Sequence, residues 1–295
     1  MNEFKTYHPI VNFIYFVAVI GFSMVFMHPI CLALSLICSF SYSVMLGGKK
    51  TLKFNLLYML PLLIISALMN PVFNHEGITI LVYLPSGNPL TLESIMYGIS
   101  ASVMLISVIS WFSCFNAVMT SDKLMYLFGK FIPALSLVFS MVLCFIPKFK
   151  AQIKIVSNAG KGIGRDISNG SLIERAKHGV KILSIMITWS LENAINTADS
   201  MKSRGYGLPN RTAFSNYNFS KRDAWVLLST VVLGIYVLIH FILGKIKFIY
   251  FPQMQGEEIS LQSILALTAY FFLCAMPIII EIKEIYTWKA LKLKI

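Results

Sequence analysis

Six nearly uninterrupted apolar runs, at about 10–27, 30–46, 54–70, 94–118, 224–243 and 260–280, constrain this chain more than any other feature. Each approaches the ~20 residues that a helix needs to cross ~30 Å of hydrocarbon. The composition points the same way. Hydrophobic residues make up 57% of the chain and charged residues only 13%, where a soluble domain carries about a quarter; the mean hydropathy is +0.72. The sequence therefore predicts an all-α polytopic membrane protein. It has about six transmembrane helices and further long helices on the cytoplasmic face or at the interface.

Charge sets the expected orientation. Lys49, Lys50 and Lys53 mark the second connection as cytoplasmic, whereas the segment from Pro71 to Glu93 holds no lysine or arginine and is expected outside. The N-terminus then lies inside, as does the tail with Lys289, Lys292 and Lys294. The first run, preceded by Lys5 and followed at once by a second run, reads as an uncleaved signal-anchor. One apolar segment, Phe131 to Pro147, breaks the pattern. Its uninterrupted part, 134–146, is bracketed by Pro133 and Pro147 and would reach only ~20 Å as a helix. It is expected to be interfacial or re-entrant. Three regions result: a four-span region 1–121, a cytoplasmic and interfacial region 122–222, and a two-span region 223–295.

The middle region is strongly basic. Between Lys148 and Arg222 lie thirteen Lys and Arg residues, opposed only by Asp166, Glu174, Glu192 and Asp199. A first helix is predicted over about 149–159, with Phe149, Ile153 and Val156 on one face. A second is predicted over about 180–204. Its apolar stripe, Ile187, Leu191, Ala194, Ala198 and Met201, steps by three and four residues. Gly205, Gly207 and Pro209 supply its stop signal. Arg204 admits two readings. A cation in a last helical turn complements the helix dipole; a guanidinium projecting from a helix tip also suits bidentate docking into an acidic groove.

Catalysis finds little support. The five histidines are scattered, and no HExxH, GxSxG or paired-carboxylate arrangement occurs. Gly160-Lys161-Gly162-Ile163-Gly164 lacks both the later glycine of a dinucleotide fingerprint and the Ser/Thr of a P-loop. No catalytic residue, metal site or cofactor is therefore expected, and an ATP-driven role would need a partner. Nothing suggests nucleic-acid binding. The cysteines at 31, 38, 114, 144 and 274 all lie in apolar runs without ligand spacing and read as buried structural thiols.

From Ser190-Leu191-Glu192-Asn193-Ala194 through Ser203-Arg204-Gly205-Tyr206, with Arg211-Thr212 beyond, the chain closely resembles the Arg-Gly signature of the EcfT/CbiQ family. That family supplies the transmembrane coupling component of energy-coupling factor (ECF) transporters of the ABC type. The resemblance extends to His8-Pro9 before the first span and to Phe145-Ile146-Pro147 before the first coupling helix. It implies a plasma-membrane subunit of a bacterium or archaeon, multi-pass with both termini cytoplasmic, for vitamin, micronutrient or metal uptake. Implied partners are two ABC-type ATPase subunits, which hydrolyse the ATP, and a small membrane-embedded substrate-binding S component. By resemblance, Ser203, Arg204 and Gly205 form the second ATPase-docking motif. The first falls on Gly162, Ile163 and Gly164, with Ile163 in the arginine slot and Lys161 and Arg165 bracketing it. Small residues on the second helix would allow close crossing.

A secondary transporter or channel subunit without ATP coupling is the main alternative. It would call for ionisable residues near mid-membrane, and the predicted spans hold little beyond Glu93 and His240, both near edges. A lipid-modifying enzyme would need an interfacial polar cluster, and Asn70, Asn74, His75 and Glu76 form the only one.

Overall fold

Two His-Pro pairs start the first two helices in the same way. His8 and His28 sit at N-cap positions, each accepting the backbone N–H two residues on through Nδ1 (3.3 Å in both), while the following proline occupies the first turn, where its missing N–H costs nothing. These helices are α1 (Pro9–Val25) and α2 (Pro29–Phe54), preceded by a 3-10 turn, Glu3–Thr6. The computed structural model describes residues 3–83, 88–129, 133–164, 171–206, 217–256 and 260–292. Beyond α2 come a π-helical turn, Asn55–Met59, then α3 (Leu60–Phe73), β1 (Ile80–Tyr83), β2 (Pro89–Thr91), α4 (Leu92–Val118) and α5 (Ser121–Gly129). There follow α6 (Pro133–Gly162), α7 (Leu172–Ser203), α8 (Lys221–Ile242), β3 (Phe248–Ile249), β4 (Gln255–Gly256) and α9 (Leu261–Lys292).

Among the described residues, Pro29–Phe73, Leu92–Val118, Lys221–Ile242 and Leu261–Leu291 are long and apolar enough to cross a bilayer, with Pro9–Val25 a shorter apolar helix. The chain is thus an all-α, multi-pass membrane protein. The stretch Pro29–Phe73 is 45 residues long, about twice one crossing, and carries two of the six predicted runs. It breaks at Gly48, whose φ of +63° and ψ of −150° leave the helix inside the lysine-bearing connection. Each of the six runs has a helical counterpart in α1, α2, α3, α4, α8 and α9, though α2 continues eight residues past its run, α3 starts six residues late and α9 continues twelve residues past its run.

Contacts divide the chain into two units, Met1–Leu124 with Tyr217–Ile295, and Met125–Asn216. In the first, α4 packs against α1, α2 and α3, and α9 against α2 and α8. Its core is aromatic: Phe4, Tyr15, Phe16, Tyr42, Trp111 and Tyr270 are all fully buried. Lipid tails give helices no hydrophobic reason to prefer each other, so small residues and interhelical hydrogen bonds hold such bundles together. Here Trp111 Nε1 donates to Ser35 Oγ (3.0 Å), and Ser35 in turn bonds Ser23 (2.7 Å). Tyr15 donates its hydroxyl to the Cys274 carbonyl (3.2 Å). Where α3 meets α4, Gly98 faces the Ala67 carbonyl so closely that a Cβ would lie 2.7 Å from the oxygen.

The N-terminal turn is pinned at one end of this bundle. The backbone N–H of Phe4 donates to Glu281 (3.3 Å) and that of His8 to Asp223 (3.0 Å), while Arg222 pairs with Glu3 and lies over the Tyr7 ring. Lys123, only 5% exposed, donates to the carbonyls of Lys5 (2.6 Å) and Tyr7 (3.4 Å). The Asn12 amide is assigned with its oxygen toward the same ammonium at 2.7 Å. Burial, together with the neighbouring Lys5 charge, lowers the Lys123 pKa to about 8, although Asp223 opposes the shift. At the other end the β1–β2 hairpin closes the α3–α4 connection. The polar residues there serve that closure: Thr79 donates to Glu93 (2.8 Å), Ser94 to the Asn74 carbonyl (2.6 Å) and the Glu76 N–H to Asn74 (3.1 Å).

Two expectations are corrected. The interfacial segment 134–146 and the first helix over 149–159 are one helix, α6, which passes through Pro147. A mid-helix proline removes one intrahelical bond, but the inward-facing positions Met141, Phe145, Phe149, Gln152 and Val156 continue at helical spacing across it. Four cysteines are buried as expected, whereas Cys144 is exposed, falling between those inward positions.

Candidate functional site

The second unit is built on α6 and α7. At 30 and 32 residues they are ~45 and ~48 Å long. The second helix starts at Leu172 and not near 180, because Ser171 and Glu174 form a capping box. The Ser171 hydroxyl accepts the Glu174 N–H (3.3 Å) and the Glu174 carboxylate accepts the Ser171 N–H (3.0 Å). The bond from that backbone N–H, then that from the Ser171 side chain, hold the Glu174 pKa below the usual carboxylate value. The signal was present in the sequence as Ser-Leu-Ile-Glu, just ahead of an apolar stretch.

The two helices meet where Phe149 packs edge-on against Trp189, ring centroids 5.6 Å apart and planes at 78°. Past this crossing both helices run to a glycine with positive φ, Gly164 (+74°) and Gly205 (+77°). Only glycine adopts that left-handed conformation without strain. At the end of α7 the Gly205 N–H donates to the Lys202 carbonyl (3.0 Å) and the Tyr206 N–H to the Met201 carbonyl (3.0 Å). This is the paired-bond Schellman termination. Arg204 is its C-cap residue, exposed, with its own N–H donating back to Ser200 and Met201 (3.2 Å each). Ser203 turns inward to the helix instead, donating to the Asp199 carbonyl (2.8 Å).

The end of α6 shares the bond from its left-handed glycine. The Gly164 N–H donates to the Lys161 carbonyl (3.0 Å) and the Ile163 N–H to that of Gly160 (3.2 Å). Ile163 therefore occupies the position before a left-handed glycine that Arg204 occupies on α7, and it is 70% exposed. Lys161 lies on the last turn of α6, while Arg165 and the Arg211-Thr212 pair fall outside the described residues. Ile163 is fourteen residues beyond Phe149, and Arg204 fifteen beyond Trp189. At 1.5 Å per residue each arm reaches ~21–22 Å past the crossing. Sequence reasoning placed the tips but missed the crossing, since nothing local links Phe149 to Trp189.

The predicted packing stripe of α7 faces outward. Ile187 is 53% exposed and Leu191 63%; Ala194 and Ala198 are exposed too, and Met201 is half-buried. The less exposed positions include Ile182, Met186, Trp189, Asn193 and Thr197. Both sets recur at helical spacing, and only the tertiary contacts chose between them.

No protein-family model matches the chain. Among curated proteins it has six homologues, all named energy-coupling factor transporter transmembrane protein EcfT, at 27–39% identity. The one from Lactobacillus helveticus is 39% identical over 90 residues, 30% of this chain and 32% of the relative. That from Streptococcus equi subsp. equi is 30% identical over 104 residues, 35% and 39% of the two chains. That from Acidaminococcus fermentans is 29% identical over 164 residues, 52% and 60%. The matches thus span between about a third and three fifths of these relatives' lengths.

Proposed function

We propose that this chain is the transmembrane coupling subunit of an energy-coupling factor importer. It passes the ATP-driven motion of two partner ATPases to a separate membrane protein that binds the substrate, a vitamin, other micronutrient or metal ion. The observation carrying this reading is Arg204. It is an exposed guanidinium at the tip of a long helix in the basic middle region, followed by a glycine cap. A planar fork of donors suits carboxylate or carbonyl acceptors in a groove on a partner. The names of the homologues supply the partner class.

In this reading the chain sits in a plasma membrane with both termini and the α6–α7 unit cytoplasmic, as the lysine-bearing connections favour. Two rigid arms of matching reach, joined at an aromatic crossing, transmit force well. When the ATPases close, their grooves approach, both tips are drawn together, and the helices tilt about the Phe149–Trp189 contact. The outward stripe Ile187, Leu191, Ala194 and Ala198 then offers an apolar face for a partner to cover. At the α6 tip Ile163 brings no charge, so Lys161 and Arg165 supply the cation of the first docking motif from either side.

The test is copurification of the ATPases with tagged protein from native membranes. Charge-assisted hydrogen bonds contribute about 1.5–3 kcal/mol each, so Arg204→Ala should weaken the association about 30-fold or more, and Arg204→Glu should abolish it. Wild-type recovery of ATPases with both variants would refute the reading.

A further inference from the structure

The tightly partitioned charges of the membrane-embedded unit have one exception. Lys5, Lys123, Lys221 and Arg222 cluster at the end where the N-terminal turn docks, and Lys49, Lys50 and Lys53 lie in the α2–α3 connection. The opposite end holds the α1–α2 junction and the β1–β2 hairpin, and residues 26–28 and 74–91 contain no lysine or arginine. The α8–α9 connection belongs to that same end, since Tyr250 donates its hydroxyl to the Met27 carbonyl (2.9 Å). Yet it carries Lys245 and Lys247. Two cations on the side that charge bias should clear call for a local reason.

Both line a cleft of about 140 Å³, together with His28, Ile30, Ile264 and Leu267. Neither is paired with a carboxylate among the described residues. The His28 Nδ1 already accepts the Ile30 N–H (3.3 Å), so the neutral ring carries its proton on Nε2 and keeps a donor to offer. Burial lowers the His28 pKa, which favours that neutral form. The first turns of α2 and α9 both border the cleft, adding the positive ends of two helices. Two ammonium groups, an imidazole N–H and two helix N-termini together make a site for a compact oxyanion. The rim is apolar, with Ile30 48% and Ile264 47% exposed on helices that cross the bilayer.

We propose that this cleft binds a phosphate oxyanion, supplied by the phosphodiester headgroup of an anionic phospholipid lying at the membrane boundary. The lysines and His28 hold the phosphate oxygens, and the isoleucine rim receives the glycerol and first acyl carbons. The site would anchor the α1–α2 and α8–α9 junctions to the lipid, and it does not depend on the ATPase reading.

The full chain in mild detergent, titrated with dihexanoyl phosphatidylglycerol and separately with inorganic phosphate while thermal unfolding is followed, tests this. The lipid should raise the unfolding midpoint saturably. In the double variant Lys245→Gln with Lys247→Gln its apparent affinity should fall about tenfold, as loss of charged donors predicts. A control, Lys49→Gln with Lys50→Gln, removes the same charge elsewhere and should bind as wild type. Lys245→Arg with Lys247→Arg should bind within about twofold of wild type, separating lost cations from a damaged fold. Equal saturable protection by inorganic phosphate would uphold the phosphate site and assign it to the free ion. Wild-type lipid affinity in the Gln pair, or an equal loss in the control pair, would overturn the proposal.

Discussion

Replacing Gly205 tests whether the glycine cap holds Arg204 where the proposed docking needs it. At φ +77° an L-residue incurs roughly 1–2 kcal/mol of steric strain. The alternative is to leave that conformation, giving up the bonds from Gly205 to Lys202 and from Tyr206 to Met201, at about 1 kcal/mol each. Both routes cost Gly205→Ala about 1–2 kcal/mol. The capped conformation would therefore become ~5–30-fold scarcer, and binding that requires it weakens by the same factor. Asparagine tolerates the left-handed region, so Gly205→Asn should stay within about threefold of wild type. A β-branched residue is worst there, and Gly205→Val should bind least. The assay is equilibrium binding of the purified ATPase pair to protein in lipid nanodiscs, with the unfolding midpoint followed in parallel. Wild-type affinity for all three variants, or an order unrelated to left-handed tolerance, would refute the argument that the cap sets Arg204.

Three further outcomes follow from the geometry. Ile163→Arg puts a guanidinium on the α6 tip in the place Arg204 holds on α7, and ATPase affinity should rise about tenfold in the same binding assay. Gly98→Leu drives a side chain into the Ala67 carbonyl, where even a Cβ would lie at 2.7 Å; overpacking of this kind costs about 1–3 kcal/mol, read as a lowered unfolding midpoint. Lys123 has a folded pKa of about 8 against an ordinary 10.5, so the unfolded chain holds this proton more tightly. The buried cation therefore costs stability below pH 8, and the cost is relieved as pH rises from 8 toward 10.5, by about 2–3 kcal/mol. Any stability advantage of Lys123→Met over wild type should shrink between pH 7 and pH 9.5 in paired melting curves, and an advantage that grows would contradict the sign.

Local pattern carried much of this protein. An apolar run satisfies its backbone locally, so its presence is written in its own residues, and α1, α2, α3, α4, α8 and α9 each contain most of one run, while the far ends of α2 and α9 and the start of α3 depart from it. Helix ends are local too: Gly205 stops α7 as expected, and the Ser171–Glu174 box was available to be read. Proline misled at position 147, because a break signal gave way to inward-facing residues that continue at helical spacing on both sides of it. The glycine-capped tips lie at helix ends and so were legible; the Phe149–Trp189 crossing was not.

From the sequence alone came the spans, the basic middle and the Arg-Gly tip, since composition, period and capping act over a few residues. Tertiary packing alone decided that Trp189 meets Phe149, that Ile187 and Leu191 face outward, that Lys123 is buried under the N-terminal turn, and that Lys245 and Lys247 share a cleft with His28. Those outcomes depend on which helices become neighbours. Two faces of one helix can be equally periodic, and contacts between residues far apart along the chain choose which of them is covered.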